Sequence, residues 1–137
     1  MIKLKQKKGF SMSEVIVAIM VFTVGVLSVV EVFPLYRKMS RISEKSSVAV
    51  FLAQEQVENI FSQSYDSITV GQFEVKHAVA ASGEFAPYQR KTDISYVDGS
   101  YQNSAADVGL KKVITTVYWD EDGSEKSTDL VSLISAK

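Results

Sequence analysis

Residues 15–30, VIVAIMVFTVGVLSVV, carry no charge, and only Thr23, Gly25 and Ser28 interrupt their hydrophobic side chains. No other feature narrows the fold as much. Sixteen residues fall just short of the ~20 that cross ~30 Å of hydrocarbon as a helix. Extended from Phe10 to Tyr36, the run reaches 27 residues and takes in Glu14, Glu31 and Pro34. A segment this apolar at the start of a chain is either a membrane span or a secretory signal. The signal reading fits the basic residues ahead of the run. It fails behind it, where EVFPLYRKMSR follows Val30 without a small-x-small cleavage pattern. A glutamate at the edge of the run is also out of place in a signal, because a carboxylate near the bilayer interior is expensive. Lysines 3, 5, 7 and 8 precede the run, and Arg37, Lys38, Arg41 and Lys45 follow it, so counting positive charges does not orient it.

The charge is split along the chain. Residues 1–9 hold four lysines and no acid, leaving 11 of the 15 basic groups against all 16 acids, a net −5 for the remainder. No Lys/Arg stripe runs along this acidic body, which argues against nucleic acid as a partner. The chain has no cysteine, so thiol catalysis, disulfides and thiolate metal sites are excluded. Its 137 residues suit one domain with an appendage.

The junction Lys7-Lys8-Gly9-Phe10-Ser11-Met12-Ser13-Glu14-Val15 resembles the class III signal of type IV prepilins and type II secretion pseudopilins. By itself, Gly9 would be an ordinary loop glycine that a protease can approach closely. Glu14 by itself would be a first-turn acid complementing the helix dipole, although an acid at membrane depth asks for a partner. The resemblance implies prepilin peptidase cleavage between Gly9 and Phe10, and N-methylation of Phe10 by the same enzyme. It also implies subunit assembly through Glu14, which would meet the amine of a neighbouring Phe10. Val48–Ile60, VAVFLAQEQVENI, is similar to the segment after the membrane helix in PilV-type minor pilins and I-type pseudopilins. The C-terminal VITTVYWDEDGSEKSTDLVSLIS is similar to the closing hairpin of the PilV kind. Many major pilins close a C-terminal loop with a disulfide that this chain cannot form, which points to a minor subunit.

Pro34 removes one backbone donor and predicts a helix kink near Val30–Pro34, where the carbonyl of Val30 loses its partner. Glu31 suits an interfacial acid at the membrane exit, with pairing to Arg37 or Lys38, or burial in a filament, left open. Beyond Pro34, Ile42, Ala49, Leu52, Ala53, Gln56 and Ile60 share one helical stripe. The pattern predicts one discontinuous helix from about Ser11 to about Ser62. Strands follow at Gln72–Ala80, with Phe73, Val75, His77 and Val79 on its apolar face, near Ile94–Tyr96, at Lys112–Trp119 and at Ser127–Ser135. Asp120–Ser124 is the loop of the last hairpin, and Asp98–Gly109 is a long polar loop of the kind that is functional or mobile.

Two groups of residues resemble sites without the rest of one. Asp120, Glu121 and Asp122 precede Gly123 without EF-hand spacing, so they suit a solubilising turn better than a metal site. His77, the only imidazole, suits a half-buried structural role. No catalytic motif, cofactor loop or paired-histidine metal site is present. The expectation is an α+β, pilin-like fold: a long N-terminal α-helix packed on a small antiparallel β-sheet. Its parts would be a cleaved leader at 1–9, a transmembrane or filament-core half of the helix at 10–36, an amphipathic half at 37–62 and a sheet domain at 63–137. The resemblance implies a non-enzymatic subunit, without cofactor or metal, in the bacterial inner membrane, with a cytoplasmic N-terminus and an exported head, later incorporated in a pilus. Its partners would be other pilin subunits through their N-terminal helices, the prepilin peptidase/methyltransferase, the inner-membrane assembly platform and the lipid bilayer.

Overall fold

A computed structural model describes residues 9–136. One helix, α1 (Met12–Phe61), is followed by a short 3₁₀ turn (Tyr65–Ser67) and four strands: β1 (Gly71–Ala78), β2 (Gln89–Tyr96), β3 (Leu110–Glu121) and β4 (Ser124–Ser135). The strands form one antiparallel sheet in the order β1-β2-β3-β4, so each pairs with its neighbour in sequence. The fold is α+β. The chain divides into two units, residues up to Ser40 and residues from Arg41 onward.

The first unit is helix with its apolar side chains exposed, from Val15 at 46% to Met39 at 61%. Two of its polar side chains are satisfied within the helix itself: Thr23 Oγ1 donates to the Ile19 carbonyl and Ser28 Oγ to the Val24 carbonyl, each at 2.8 Å. Pro34 lies inside α1, which runs unbroken from Met12 to Phe61. The helix is therefore continuous where the sequence predicted a discontinuity. Proline deletes one hydrogen bond of a ladder that the flanking turns keep in register.

In the second unit the last turns of α1 lie on the sheet. Ala49, Leu52, Ala53, Gln56, Val57 and Ile60 are buried, which is the expected stripe with Val57 added and Ile42 only half-buried. Small alanines at 49 and 53 let the helix approach the sheet closely. There Leu52 packs with Tyr88, Val117 and Trp119, and Ile60 with Ile68, Ile94 and Val113. Fully burying a side chain such as Leu52 or Ile60 contributes ~1.5–3 kcal/mol.

β3 alternates strictly: Lys111, Val113, Thr115, Val117 and Trp119 face inward along its length. Its partner β4 keeps an unbroken register over all twelve residues. The connecting turn is tighter than the five-residue loop expected from sequence. Asp122 and Gly123 both have positive φ (53° and 78°), the signature of a two-residue type I′ hairpin.

β1 departs from the sequence reading. Its pairing with β2 slips twice, between Gln72 and Glu74 and between Glu74 and His77. Each slip reverses which side chains face the core. Phe73 and Glu74 are consequently both half-buried, Val75 is 65% exposed and the His77 side chain 53% exposed. His77 is thus an exposed histidine, contrary to the half-buried role expected of it.

Candidate assembly segment at the N-terminus

Ser11 precedes the first helical residue and Glu14 lies three positions later, the S-x-x-E arrangement of a capping box. The Ser11 carbonyl accepts the first helical hydrogen bonds, from the amides of Glu14 (3.0 Å) and Val15 (3.2 Å). The Glu14 carboxylate reaches back to the Ser11 amide at 3.4 Å, and Ser11 Oγ lies 2.8 Å from Ser13 Oγ. Glu14 therefore caps its own helix and places its negative charge on the positive end of the dipole. Gly9 is exposed, and a Cβ added there would meet nothing within 4 Å. Phe10 is 84% exposed. With Glu14, Val15, Ala18, Ile19 and Phe22 it lines a shallow apolar groove along the helix, with the carboxylate at one end. Gly9, Phe10 and Glu14 thus lie within about one and a half turns' length of chain, while Pro34 lies about five and a half turns further on. The leader expected at 1–9 lies, except for Gly9, outside the described residues.

α1 is long and apolar enough to cross a membrane, and its most apolar 18-residue window has a mean hydropathy of 2.6 with none of it buried. Residues 4–30 match the prokaryotic N-terminal methylation motif. The match supports the type IV prepilin and pseudopilin family. No curated protein and no solved structure matches it. Prepilins and pseudopilins are structural rather than catalytic, and the apolar helix of this chain is consistent with membrane association and contact with other pilins. The motif and helix are together consistent with anchoring in the inner membrane. Among the described residues, no group of three or more metal-ligating side chains is placed to hold an ion. Asp120 instead serves its own turn, accepting the Gly123 amide at 3.2 Å, while its carbonyl accepts Lys45 Nζ at 2.8 Å.

Two polar clusters were not anticipated from the sequence. The Glu74 and Arg90 side chains are only 11% and 12% exposed. Arg90 Nε donates to both Glu74 oxygens (3.2 and 3.1 Å) and Nη2 to one of them (3.1 Å), while Nη1 donates to the Leu52 carbonyl at 3.3 Å. Thr92 Oγ1 adds a 2.8 Å bond to Glu74. This cluster ties the bulged edge strand to both β2 and the helix.

The second cluster centres on Lys111, 3% exposed, whose ammonium donates to the carbonyls of Tyr65 (2.7 Å) and Ile68 (2.9 Å). It also lies 3.9 Å from the Tyr65 ring centroid. The Tyr65 hydroxyl in turn donates to Asp107 at 2.6 Å. Desolvation, then the Asp107 bond, push the Tyr65 phenol up to about 12. The same bond, with the Gly109 amide, holds Asp107 below the usual carboxylate range. Lys111 thereby pins the turn after α1 to the sheet, and Tyr65 pins the 98–109 loop to that turn.

Proposed function

We propose that this prepilin is a minor type IV pilin of the PilV kind, cut between Gly9 and Phe10, methylated at Phe10, and built into a pilus, where it helps prime assembly at the tip. The methylation-motif match over residues 4–30, at the head of an exposed apolar helix, carries this reading. Residues 1–9 then act as the leader, 10–36 as the membrane and filament-core half of the helix, 37–62 as its amphipathic half and 63–137 as the head. The N-terminus faces the cytoplasm and the head is exported. The uncovered apolar side chains of the first unit gain packing partners in the filament, where van der Waals contact supplies the attraction that water exclusion no longer does. Glu14 changes partner on assembly, from its own capping amide to the Phe10 amine of a neighbour. Pro34 lets the continuous helix bend at the end of its apolar half. A minor pseudopilin of type II secretion is the second reading, favoured by the likeness of Val48–Ile60 to I-type pseudopilins.

Intact-mass analysis of the native protein tests the processing. The mass should correspond to Phe10–Lys137 plus one methyl group, and an uncut N-terminus would refute the reading. Glu14→Ala should leave cleavage largely intact and abolish incorporation into filaments. A monomeric anchored domain would be indifferent to it.

A further inference from the structure

Glu31 is exposed within the apolar half of α1, flanked by the exposed side chains of Val29, Val30, Val32 and Phe33. Among the described residues no hydrogen bond or ion pair involves it. The positions one turn away along its own helix are Leu27, Ser28, Pro34 and Leu35, none of them basic, so no i,i+3 or i,i+4 partner exists. Arg37 is in the converse position: Phe33, Pro34, Ser40 and Arg41 offer it no acid. Glu31 and Arg37 are separated by ~9 Å along the axis and by about 240° around it, so they do not meet within one chain. A carboxylate placed in hydrocarbon or between packed helices needs a cation there.

We infer that Glu31 pairs with Arg37 of a second copy of this chain, the two α1 helices lying parallel and displaced axially by about six residues. The inference rests on the prepilin reading, which puts neighbouring helices in one membrane with the same polarity. A displacement of ~9 Å brings Glu31 of the raised copy level with Arg37 of the other. In the same direction, it brings the Phe10 amine of the raised copy within two residues, ~3 Å, of the level of Glu14 in the other. The Phe10–Glu14 contact of the proposed function is compatible with the same stagger. Around the axis, Glu14 and Arg37 lie about 140° apart on one helix, and Phe10 and Glu31 about 60° apart on the other. The pairs therefore flank an apolar seam, as charged e and g residues flank the seam of a coiled coil and set its register.

The absence of cysteine makes the test clean. A chain carrying both Glu31→Cys and Arg37→Cys cannot bridge the two positions internally, because their Cα atoms are too far apart. In cell membranes treated with a mild oxidant it should form covalent dimers. Either single variant alone should form at least about tenfold fewer, because like positions stand ~9 Å apart. Mixed Glu31→Cys and Arg37→Cys copies should restore the bridge. Independently, Glu31→Arg should lower co-purification of tagged with untagged copies about tenfold or more, and Glu31→Arg combined with Arg37→Glu should recover most of it. If the chain is cut and methylated but the double-cysteine variant gives no dimer, or the exchanged pair is no better than the single change, the pairing is refuted while the prepilin reading stands. An uncut N-terminus would overturn that reading and the pairing with it.

Discussion

Replacing Arg90 with methionine tests how the bulged edge strand is held. The change keeps most of the side-chain volume but removes three contacts to the Glu74 carboxylate and one to the Leu52 carbonyl. Glu74, only 11% exposed, would keep the Thr92 hydroxyl at 2.8 Å and the imidazole of His77 at 3.5 Å. Removing one partner of a buried pair costs ~3–5 kcal/mol, chiefly because the remaining charge stays desolvated. Thr92 relieves part of that, so the expected loss is about 3 kcal/mol. Replacing both residues, Glu74→Leu with Arg90→Met, leaves no stranded charge and should cost less than about 1 kcal/mol. The protein has one tryptophan, and Trp119 is 7% exposed at the helix–sheet junction, so its fluorescence reports unfolding of the second unit. Urea titration of the detergent-solubilised chain would measure both variants. A single variant within about 0.5 kcal/mol of wild type, or a double variant as damaged as the single, would refute the argument that a stranded charge sets the cost.

Lys111→Met should loosen the turn at 65–68 by about 1.5–3 kcal/mol, the usual worth of hydrogen bonds from a charged donor, and raise amide exchange in 62–70 more than in β3. The Tyr65–Asp107 bond should respond to pH at two ends. The raised phenol stabilises the fold fully below the ordinary tyrosine value of 10, and that contribution is lost as pH climbs towards about 12. The lowered Asp107 carboxyl contributes above the usual carboxylate range, and its contribution is lost on acidification below that range. Tyr65→Phe should remove the alkaline dependence and weaken the acid one, which the Gly109 amide still supports, as followed by amide exchange in the 98–109 loop.

The buried face of α1 was legible because a 3.6-residue period sampled a helix covered on one side only, and Ala49, Leu52, Ala53, Gln56 and Ile60 all fell on it. β3 was equally legible, since strict alternation survives where a strand has a regular neighbour on each side. The face of β1 was not. Its two bulges depend on how β1 meets β2, and no window of sequence carries that register. The same register brings Glu74 opposite Thr92 and beside Arg90, so the ion pair was invisible for the same reason. Lys111 did leave a trace: it shares parity with Val113, Val117 and Trp119, so a strictly alternating strand places it inward whatever its charge. Asp122-Gly123 was likewise a strong type I′ signal inside what reads at first as a longer polar loop. At the N-terminus the spacing of Ser11 and Glu14 was plain in the sequence. That Glu14 already engages its own helix depends on where its side chain turns, which spacing alone does not carry.

The sheet's order, β1-β2-β3-β4, has a kinetic side. Every strand finds its partner within a short stretch of chain, two residues away in the case of β3 and β4. Loop closure is cheap for such pairings, and contact order is correspondingly low for a sheet protein. With no cysteine to oxidise, the second unit also depends on no thiol chemistry to reach its final form. In the proposed function the head crosses the membrane unfolded, and these features let it rebuild its sheet soon after its last strands emerge, without waiting for an oxidase or for a distant segment.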